Sequence, residues 1–351
     1  MPIQEKDSLE NVRDYYGRVL QSNADLQTTA CCTAESLPSY LRPIVARIHD
    51  EVVSKFYGCG SPLPFDLEGR TVLDLGSGSG RDAFILSNLV GPEGRVIGVD
   101  MTDEQLAVAR RHVDFHTREW GYEQANVEFR QGFIEDLATA GVEDNSVDVV
   151  VSNCVVNLSP DKARVFSEIF RVLKPGGELY FSDVFVDRRL PAAVVEDPVL
   201  LGECLGGSLY TEDFRRMLLD LGCADYRIIN QAPVEVTTPE LAAKTGLARF
   251  ESLTVRAFKL DLEDRCEDYG EVATYQGTIA EAPNAFLLDD HHLFERGRPM
   301  LVCSNTADML AKTRYGRHFR IEGDRSTHFG LFDCGPVTDT SSTLSGTGAC
   351  C

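Results

Sequence analysis

The chain has 351 residues, of which 43% are hydrophobic and 25% charged, enough for about two domains with a buried core. Its net charge of −21 disfavours binding to nucleic acid or anionic lipid, which carry charge of the same sign. The polar N-terminus lacks the basic and apolar regions of a secretory signal, and no apolar run is long enough to span a membrane. We therefore expect a cytoplasmic protein, in which eleven cysteines favour metal binding or thiol chemistry over a disulfide framework.

Apolar periodicity predicts two amphipathic helices at residues 8–26 and 41–55, before a break rich in glycine and proline. Strand-like and helical patterns then alternate, which predicts βαβ units and a doubly wound parallel sheet. The predicted strands are residues 71–75, 96–99, 127–130, 147–152 and 179–184, and the helices between them include residues 82–89, 103–119 and 161–173. A helix at 211–221, with Thr211 as its N-cap, and strands at 225–230 and 252–259 complete this part.

The strongest local signal is VLDLGSGSGRD at residues 72–82, an apolar strand followed by a glycine-rich turn and a helix. Asp100 ends the second predicted strand, where a carboxylate can accept both hydroxyls of a ribose. The glycines are spaced G-x-G-x-G, whereas dinucleotide-binding turns have G-x-G-x-x-G, and Asp74 precedes them. A carboxylate is unfavourable beside a pyrophosphate, but it suits the ammonium and sulfonium groups of S-adenosylmethionine.

This pattern resembles the class I S-adenosylmethionine methyltransferases, with which Asp148 and the LKPGG segment at 173–177 also agree. The resemblance implies a Rossmann-like α/β fold with a seven-stranded sheet whose last strand is antiparallel. It also implies a set of cofactor-binding residues. These are Tyr57, Gly58, Asp74, Gly76, Ser77, Gly78, Arg81, Asp82, Asp100, Met101, Phe133, Ile134, Glu135, Asn153 and Val155.

Three cysteines lie where this fold places its chemistry. Cys154 follows the fourth predicted strand, where amino-methylating relatives have an N-P-P-Y or D-P-P-Y box. Cys204 lies in a glycine-rich loop after the fifth strand, and Cys59 precedes the first strand. Three thiolates at one cleft would form a site for a soft ion.

Several segments resemble motifs of the arsenite methyltransferases, over about residues 11–334. They are residues 56–60, 152–158, 202–207, 254–260, 275–278, 287–292 and 328–334. The resemblance implies that Cys59, Cys154 and Cys204 bind trivalent arsenic and that the arsenic lone pair attacks the cofactor methyl group without a general base. It implies a fourth catalytic cysteine, Cys31 or Cys32, with the spacing to Cys59 favouring Cys31. A pair such as Cys31 and Cys59 could return two electrons to arsenic, with glutathione or thioredoxin as the thiol reductant.

This interpretation divides the chain into four parts. They are a helical segment with cysteines at 1–60, the S-adenosylmethionine-binding domain at 61–260, a smaller irregular C-terminal domain at 261–335, and a disordered tail at 336–351. We expect Cys223, Cys266, Cys303 and Cys334 to be small buried side chains. The DDHH segment at 289–292 is expected to be a hydrogen-bonded loop, although it resembles a metal site.

Two other functions remain open at this stage. The fold would equally suit a methyltransferase acting on a carbon or oxygen atom of a lipid or quinone precursor, for which Cys154 would be dispensable. The thiols alone would suit a non-catalytic metalloid-binding protein, which would not need the glycine-rich turn. The sequence leaves open the final methylation state, activity on antimony, the oligomeric state and the role of Cys350 and Cys351.

Overall fold

The structure is a computed structural model that describes residues 38–56, 62–202 and 204–334. The helix predicted at 8–26 and the tail predicted at 336–351 lie outside the described residues, as do Cys31, Cys32, Tyr57, Gly58 and Cys59. None of the described helices is long and apolar enough to cross a membrane.

The α/β part of the chain has eight strands and ten helices among the described residues. The strands are β1 Thr71–Leu75, β2 Arg95–Asp100, β3 Val127–Gln131, β4 Val147–Asn153, β5 Leu173–Val186, β6 Leu209–Tyr210, β7 Tyr226–Val234 and β8 Phe250–Phe258. The helices are α1 Arg42–Val45, α2 Asp50–Ser54, α3 Arg81–Val90, α4 Asp103–Arg111, α5 Val113–Trp120, α6 Lys162–Val172, α7 Ala192–Val195, α8 Pro198–Gly202, α9 Thr211–Asp220 and α10 Pro239–Thr245.

These strands form one sheet in the order β3-β2-β1-β4-β5-β8-β7, with β6 paired to the end of β5. Strands β1 to β5 are parallel, whereas β8 runs antiparallel to both β5 and β7. The predicted doubly wound methyltransferase sheet is therefore confirmed, with the short strand β6 as an addition. The strand order reverses between β1 and β4, and ligands of such sheets bind outside the carboxyl ends of the strands at this point.

Two predicted helices are interrupted by contacts between distant parts of the chain. The helix predicted at 41–55 is divided into α1 and α2, because His49 is extended and its ring accepts a hydrogen bond from Glu51 N as the N-cap of α2. The helix predicted at 103–119 breaks at His112, whose Nε2 lies 2.7 Å from Glu51 Oε2. The N-cap of α9 is Tyr210, so the prediction that Thr211 caps this helix was wrong.

The C-terminal part is more regular than predicted. Its elements are β9 Glu267–Asp268, β10 Glu271–Tyr275, β11 Ala285–Leu287, β12 Leu293–Glu295, β13 Pro299–Val302, α11 Ser304–Ala311, β14 Phe319–Glu322 and β15 Gly330–Leu331. Strands β13, β10 and β14 form an antiparallel sheet. Phe286, Phe294 and Tyr315 are fully buried in an apolar core that also includes Phe258 of β8. Strands of two to five residues are too short to show periodicity, which explains why the sequence suggested an irregular domain.

A buried charged cluster joins the C-terminal part to the large sheet. Glu178 of β5 pairs with Arg256 of β8 and with Arg314, and all three side chains are at most 4% exposed. Arg256 also donates to the carbonyl oxygen of Leu288 at 2.7 Å, and the hydroxyl of Tyr315 donates to Glu178 Oε2 at 3.2 Å. The two parts therefore share polar groups that neither could satisfy alone.

Candidate active site: a cofactor cleft with two buried cysteines

The glycine-rich turn after β1 has three glycines with positive φ, of which Gly76 and Gly78 connect the turn to neighbouring segments. Gly76 has φ +68°, and its N–H donates to the carbonyl oxygen of Val99 at 2.8 Å. A Cβ on Gly76 would lie 2.3 Å from Cγ2 of Val155, so only glycine permits this close approach. Gly78 has φ +51°, and its N–H donates to Oδ2 of Asp100 at 2.9 Å. The turn is thus anchored to the ends of β2 and β4.

A cleft with about 990 Å³ of empty space opens beside this turn, at the carboxyl ends of β1, β2 and β4. Every described residue predicted to bind the cofactor lines it except Arg81. Those residues are Asp74, Gly76, Ser77, Gly78, Asp82, Asp100, Met101, Phe133, Ile134, Glu135, Asn153 and Val155. The sequence analysis missed Lys55, Phe56, Ser79, Thr102, Gln105, Gly132, Leu158 and Ser159. Thr102 directly follows the Asp100–Met101 pair, which is the signal that could have identified it.

The electrostatics of the cleft favour a cation. Burial raises the pKa of Asp74 well above its ordinary value, and the neighbouring charges of Asp82 and Asp100 raise it further. Burial also raises the pKa of Asp100, although the N–H groups of Thr102 and Gly78 oppose that shift. Three buried carboxyl groups would repel a phosphate and attract the ammonium and sulfonium of S-adenosylmethionine. Ser77 Oγ is buried at the cleft and has no hydrogen-bond partner within the described ranges, so it is available to a polar ligand.

Arg81 does not line the cleft but contacts two residues that do, Asp82 and Phe56. Its Nη1 donates to Asp82 Oδ1 at 2.9 Å, and its guanidinium carbon lies 4.1 Å from the centre of the Phe56 ring. The other carboxyl oxygen of Asp82 accepts a hydrogen bond from Asn153 Nδ2 at 3.0 Å. Arg81 and Asn153 thereby fix the orientation of Asp82 at the wall of the cleft.

Cys154 and Cys204 lie against each other at one end of this cleft. Cys154 follows β4 and lines the cleft, while Cys204 lies in the loop after α8 and is fully buried. The thiol of Cys204 donates to the carbonyl oxygen of Cys154 at 3.5 Å. Both cysteines have left-handed backbones, with φ +57° and +62°. That conformation costs about 1–2 kcal/mol for a residue with a Cβ, and such strain is concentrated at functional sites.

The oxidation state differs between the cysteines of the site. Cys154 is disulfide-bonded in this structure, whereas Cys204 is a thiol. Of the five cysteines predicted to be catalytic, only these two are among the described residues. Cys154 lines the cleft and Cys204 contacts its backbone, and the catalytic roles of all five cysteines stay predictions.

Lys162 of α6 places a positive charge near Cys204. Its Nζ donates to the carbonyl oxygen of Ser159 at 3.0 Å, and burial lowers its pKa. The charges of Asp183, Glu135 and the Cys204 sulfur oppose that decrease. Lys162 was not singled out in the sequence, because nothing in its local pattern marks it.

The DDHH segment is a hydrogen-bonded loop, as expected. Asp289 accepts hydrogen bonds from the backbone N–H groups of His291 and His292 at 2.9 and 2.8 Å. It also pairs with Arg227 at 3.1 Å. These contacts satisfy its carboxylate without a metal ion.

Comparison with known proteins gives matches over most of the chain. A methyltransferase-domain family model matches residues 66–222, and a model of the arsenite methyltransferase C-terminal domain matches residues 269–351. The arsenite methyltransferase of Aquipseudomonas alcaligenes is 54% identical over 328 residues, covering 93% of this chain and 94% of that protein. The human arsenite methyltransferase is 40% identical over 323 residues, covering 91% of this chain and 85% of its own length.

The solved structures include a close match. The crystal structure of an arsenic(III) S-adenosylmethionine methyltransferase from Chlamydomonas reinhardtii is 52% identical and has a TM-score of 0.82. The match covers 84% of this chain and 99% of the algal one. These similarities show that the chain belongs to the arsenite methyltransferase family and methylates trivalent arsenic from S-adenosylmethionine.

Proposed function

We propose that the arsenic atom is methylated while it is held by the thiolates of Cys154, Cys204 and Cys59. The observation that carries this proposal is the contact between Cys204 and Cys154, 3.5 Å from thiol sulfur to carbonyl oxygen, at the edge of the cofactor cleft. Trivalent arsenic is a soft acceptor that prefers sulfur ligands. Two buried sulfurs beside the cofactor would place the arsenic next to the methyl donor.

S-adenosylmethionine supplies a methyl group activated by a positively charged sulfur. Asp74 and Asp82 would hold its cationic groups, and Asp100 its ribose. Cys154 lies on the same wall as Asn153 and Val155, so a ligand of its sulfur faces the cleft. The arsenic lone pair is the nucleophile, which carries no proton, so the chain needs no general base. Catalysis by these residues is then mainly positioning.

Lys162 assists by keeping Cys204 ionised. A thiolate and not a thiol binds a soft ion. Cys204 is fully buried, and burial alone would favour its neutral form. The ammonium of Lys162 beside it opposes this effect.

Reduction must follow each methyl transfer, because arsenic gives two electrons to the new carbon bond and becomes pentavalent. We assign this reduction to Cys59 with Cys31 or Cys32. Two thiolates of that set join as a disulfide and return two electrons to arsenic. An external thiol, glutathione or thioredoxin, then reduces the disulfide. We place the enzyme in the cytoplasm, where thiols are kept reduced.

The experiment compares cysteine variants on two substrates, arsenite and methylarsenite, with arsenic speciation as the readout. Methylarsenite already carries one carbon and needs only two sulfurs to complete its three bonds. Cys154→Ser and Cys204→Ser should therefore lose activity on both substrates. Cys59→Ser should lose activity on arsenite and keep part of it on methylarsenite. The double replacement of Cys31 and Cys32 should behave like Cys59→Ser.

The matched control is Cys223→Ser. Cys223 is also buried, but its thiol donates to the carbonyl oxygen of Asp225 and it does not line the cleft. It should methylate both substrates at the wild-type rate. Methylation of methylarsenite by Cys154→Ser at the wild-type rate would refute the assignment of Cys154 as an arsenic ligand.

A further inference from the structure

A second group of cysteines converges in the C-terminal part of the chain. The sulfur atoms of Cys266, Cys303 and Cys334 all lie within 4.8 Å of one another. They belong to three different segments: Cys266 precedes β9, Cys303 precedes α11, and Cys334 follows β15. None of the three lines the cofactor cleft. The expectation that these cysteines are only small buried side chains does not account for this convergence.

The backbone holds these three segments in place. Strands β9 and β15 pair, with Leu331 opposite Glu267, and Phe332 N donates to the carbonyl oxygen of Cys266 at 2.7 Å. This pairing keeps the Cys266 and Cys334 segments side by side. Cys303 is the N-cap of α11, and its sulfur accepts a hydrogen bond from Thr306 N at 3.4 Å. A metalloid ion would therefore bind sulfur atoms whose positions are already fixed, which lowers the entropic cost of binding.

The surroundings favour thiolates at this place. Nη2 of Arg227 lies 3.9 Å from the sulfur of Cys303, in a buried contact. The first turn of α11 also directs N–H groups toward Cys303, and the N-terminus of a helix favours negative charge. Cys303 is fully buried and Cys266 nearly so, whereas Cys334 is half-buried and leaves a route from solvent.

We infer that Cys266, Cys303 and Cys334 form a second site for trivalent arsenic, separate from the site of methylation. Arsenite, As(OH)₃, condenses with the three thiols: three As–O bonds break, three As–S bonds form, and each thiol proton leaves with a hydroxyl group as water. The oxidation state of arsenic does not change. The resulting complex is neutral. It joins three segments of the C-terminal part without placing arsenic near the methyl donor.

The number and charge of the ligands decide between arsenic and zinc. Structural zinc sites are almost always tetrahedral with four protein ligands. The group contains three sulfurs and no histidine or carboxylate from residues 38–56, 62–202 or 204–334. Three thiolates on a divalent ion would also leave one negative charge in a buried place. Arg227 is already paired with Asp225 and Asp289, so it cannot neutralise that charge fully. Three thiolates on trivalent arsenic give a complex with no net charge.

The test measures bound arsenic in the full-length reduced protein. In a background with Cys154→Ser and Cys204→Ser, arsenite is added, the excess is removed by gel filtration, and arsenic and zinc per chain are determined by elemental mass spectrometry. Addition of Cys303→Ser should reduce the retained arsenic by one atom per chain. Serine is itself a good N-cap, so α11 should stay folded in this variant. Cys223→Ser is the matched control, and it should retain as much arsenic as the background.

Melting temperature and two further cysteine variants test the same site. Arsenite should raise the melting temperature of the background protein but not that of the Cys303→Ser variant, because a ligand that binds only the folded state stabilises it. Cys266→Ser and Cys334→Ser should lose the same single arsenic atom, and they replace Cys303→Ser if that variant fails to fold. Equal arsenic in the Cys303→Ser and Cys223→Ser samples would overturn the inference. So would zinc that these cysteines retain and that arsenite does not displace.

Discussion

Charge on individual residues determines what the cleft can bind. Asp74 is the clearest case, since it is buried beside Asp82 and Asp100 and its pKa is raised well above the ordinary value. The sequence showed the G-x-G-x-G spacing and an acidic residue before the glycines, and together these two features favoured S-adenosylmethionine over a dinucleotide. The supporting role of Arg81 and the ammonium of Lys162 could not be predicted, because both depend on contacts that only the folded chain makes.

The affinity for S-adenosylmethionine should depend on pH through Asp74. The cationic cofactor binds the ionised carboxylate better than the neutral acid, so binding releases a proton. Affinity should therefore increase as the pH rises toward and through the raised pKa of Asp74. Asp74→Asn keeps this side chain neutral, so its affinity should rise less with pH. At high pH it should be weaker than wild type by roughly tenfold or more, the loss of one charge-assisted contact. Calorimetric titration across a series of pH values measures both effects.

Asp148→Asn is the matched control for this prediction. Asp148 also belongs to the parallel sheet, but its carboxylate accepts from Thr71 N at 2.9 Å and pairs with Lys174 at 2.8 Å, away from the cleft. Its cofactor affinity should follow the wild-type dependence on pH. An Asp74→Asn variant with the same dependence would exclude Asp74 from the recognition of the cation.

At the scale of elements, the sequence predicted strands that depend on a local pattern and missed helix breaks that depend on contacts between distant residues. Strand β1 was predicted to the residue, because its mainly apolar residues lead directly into a glycine-rich turn. The breaks at His49 and His112 were missed, because the rings of these two residues stack on each other, with centroids 3.8 Å apart, across distant parts of the chain. A periodic pattern gives no information about such a contact.

The glycine-rich turn allows a direct test of how it positions β4. Alanine at position 76 must adopt φ +68° and would place its Cβ 2.3 Å from Val155, next to Cys154. Gly76→Ala should therefore lower the melting temperature and weaken cofactor binding and methyl transfer together. Addition of Val155→Ala should restore part of the loss, because it removes the clashing methyl groups. Thermal denaturation and calorimetry on the single and double variants measure this coupling.

Gly91→Ala is the control that measures the cost of a positive φ alone, without the clash that an added Cβ at position 76 makes with Val155. Gly91 has φ +72°, no atom lies within 4 Å of an added Cβ, and the residue is outside the cleft. With ψ 178°, its backbone conformation is almost confined to glycine, so Gly91→Ala should lose about 1–3 kcal/mol of stability and keep its cofactor affinity. If Gly76→Ala bound the cofactor as tightly as Gly91→Ala, the close approach to Val155 would have no functional role.

For the whole molecule, the sequence predicted a separate C-terminal domain but not how it is attached. Residues from β5, β8 and the segment after α11 meet in one buried cluster, although they are far apart in the chain. The convergence of Cys266, Cys303 and Cys334 was hidden for the same reason. Both arrangements arise from tertiary packing of short elements, which leave little pattern in a sequence.

Glu178→Gln tests whether this cluster holds the two parts together. Glu178 contacts both Arg256 and Arg314, and all three side chains are buried. Glutamine fills the same space but leaves two guanidinium groups without a countercharge, and breaking a buried pair in this way costs about 3–5 kcal/mol. Glu128→Gln is the control, because Glu128 pairs with Arg95 and Arg130 at an exposed place, where about 0–1 kcal/mol is expected.

The two variants differ in the location of the damage as well as in its size. In Glu178→Gln, hydrogen exchange should increase first in β10, β14 and α11, because these elements depend on the cluster for their attachment to the sheet. The strands β1 to β4 and the cofactor affinity should change little, since none of the three charged residues lines the cleft. Chemical denaturation gives the total loss of stability, and exchange measured by mass spectrometry locates it. A Glu178→Gln protein as stable as Glu128→Gln, with uniform exchange, would mean that apolar packing alone attaches the C-terminal part.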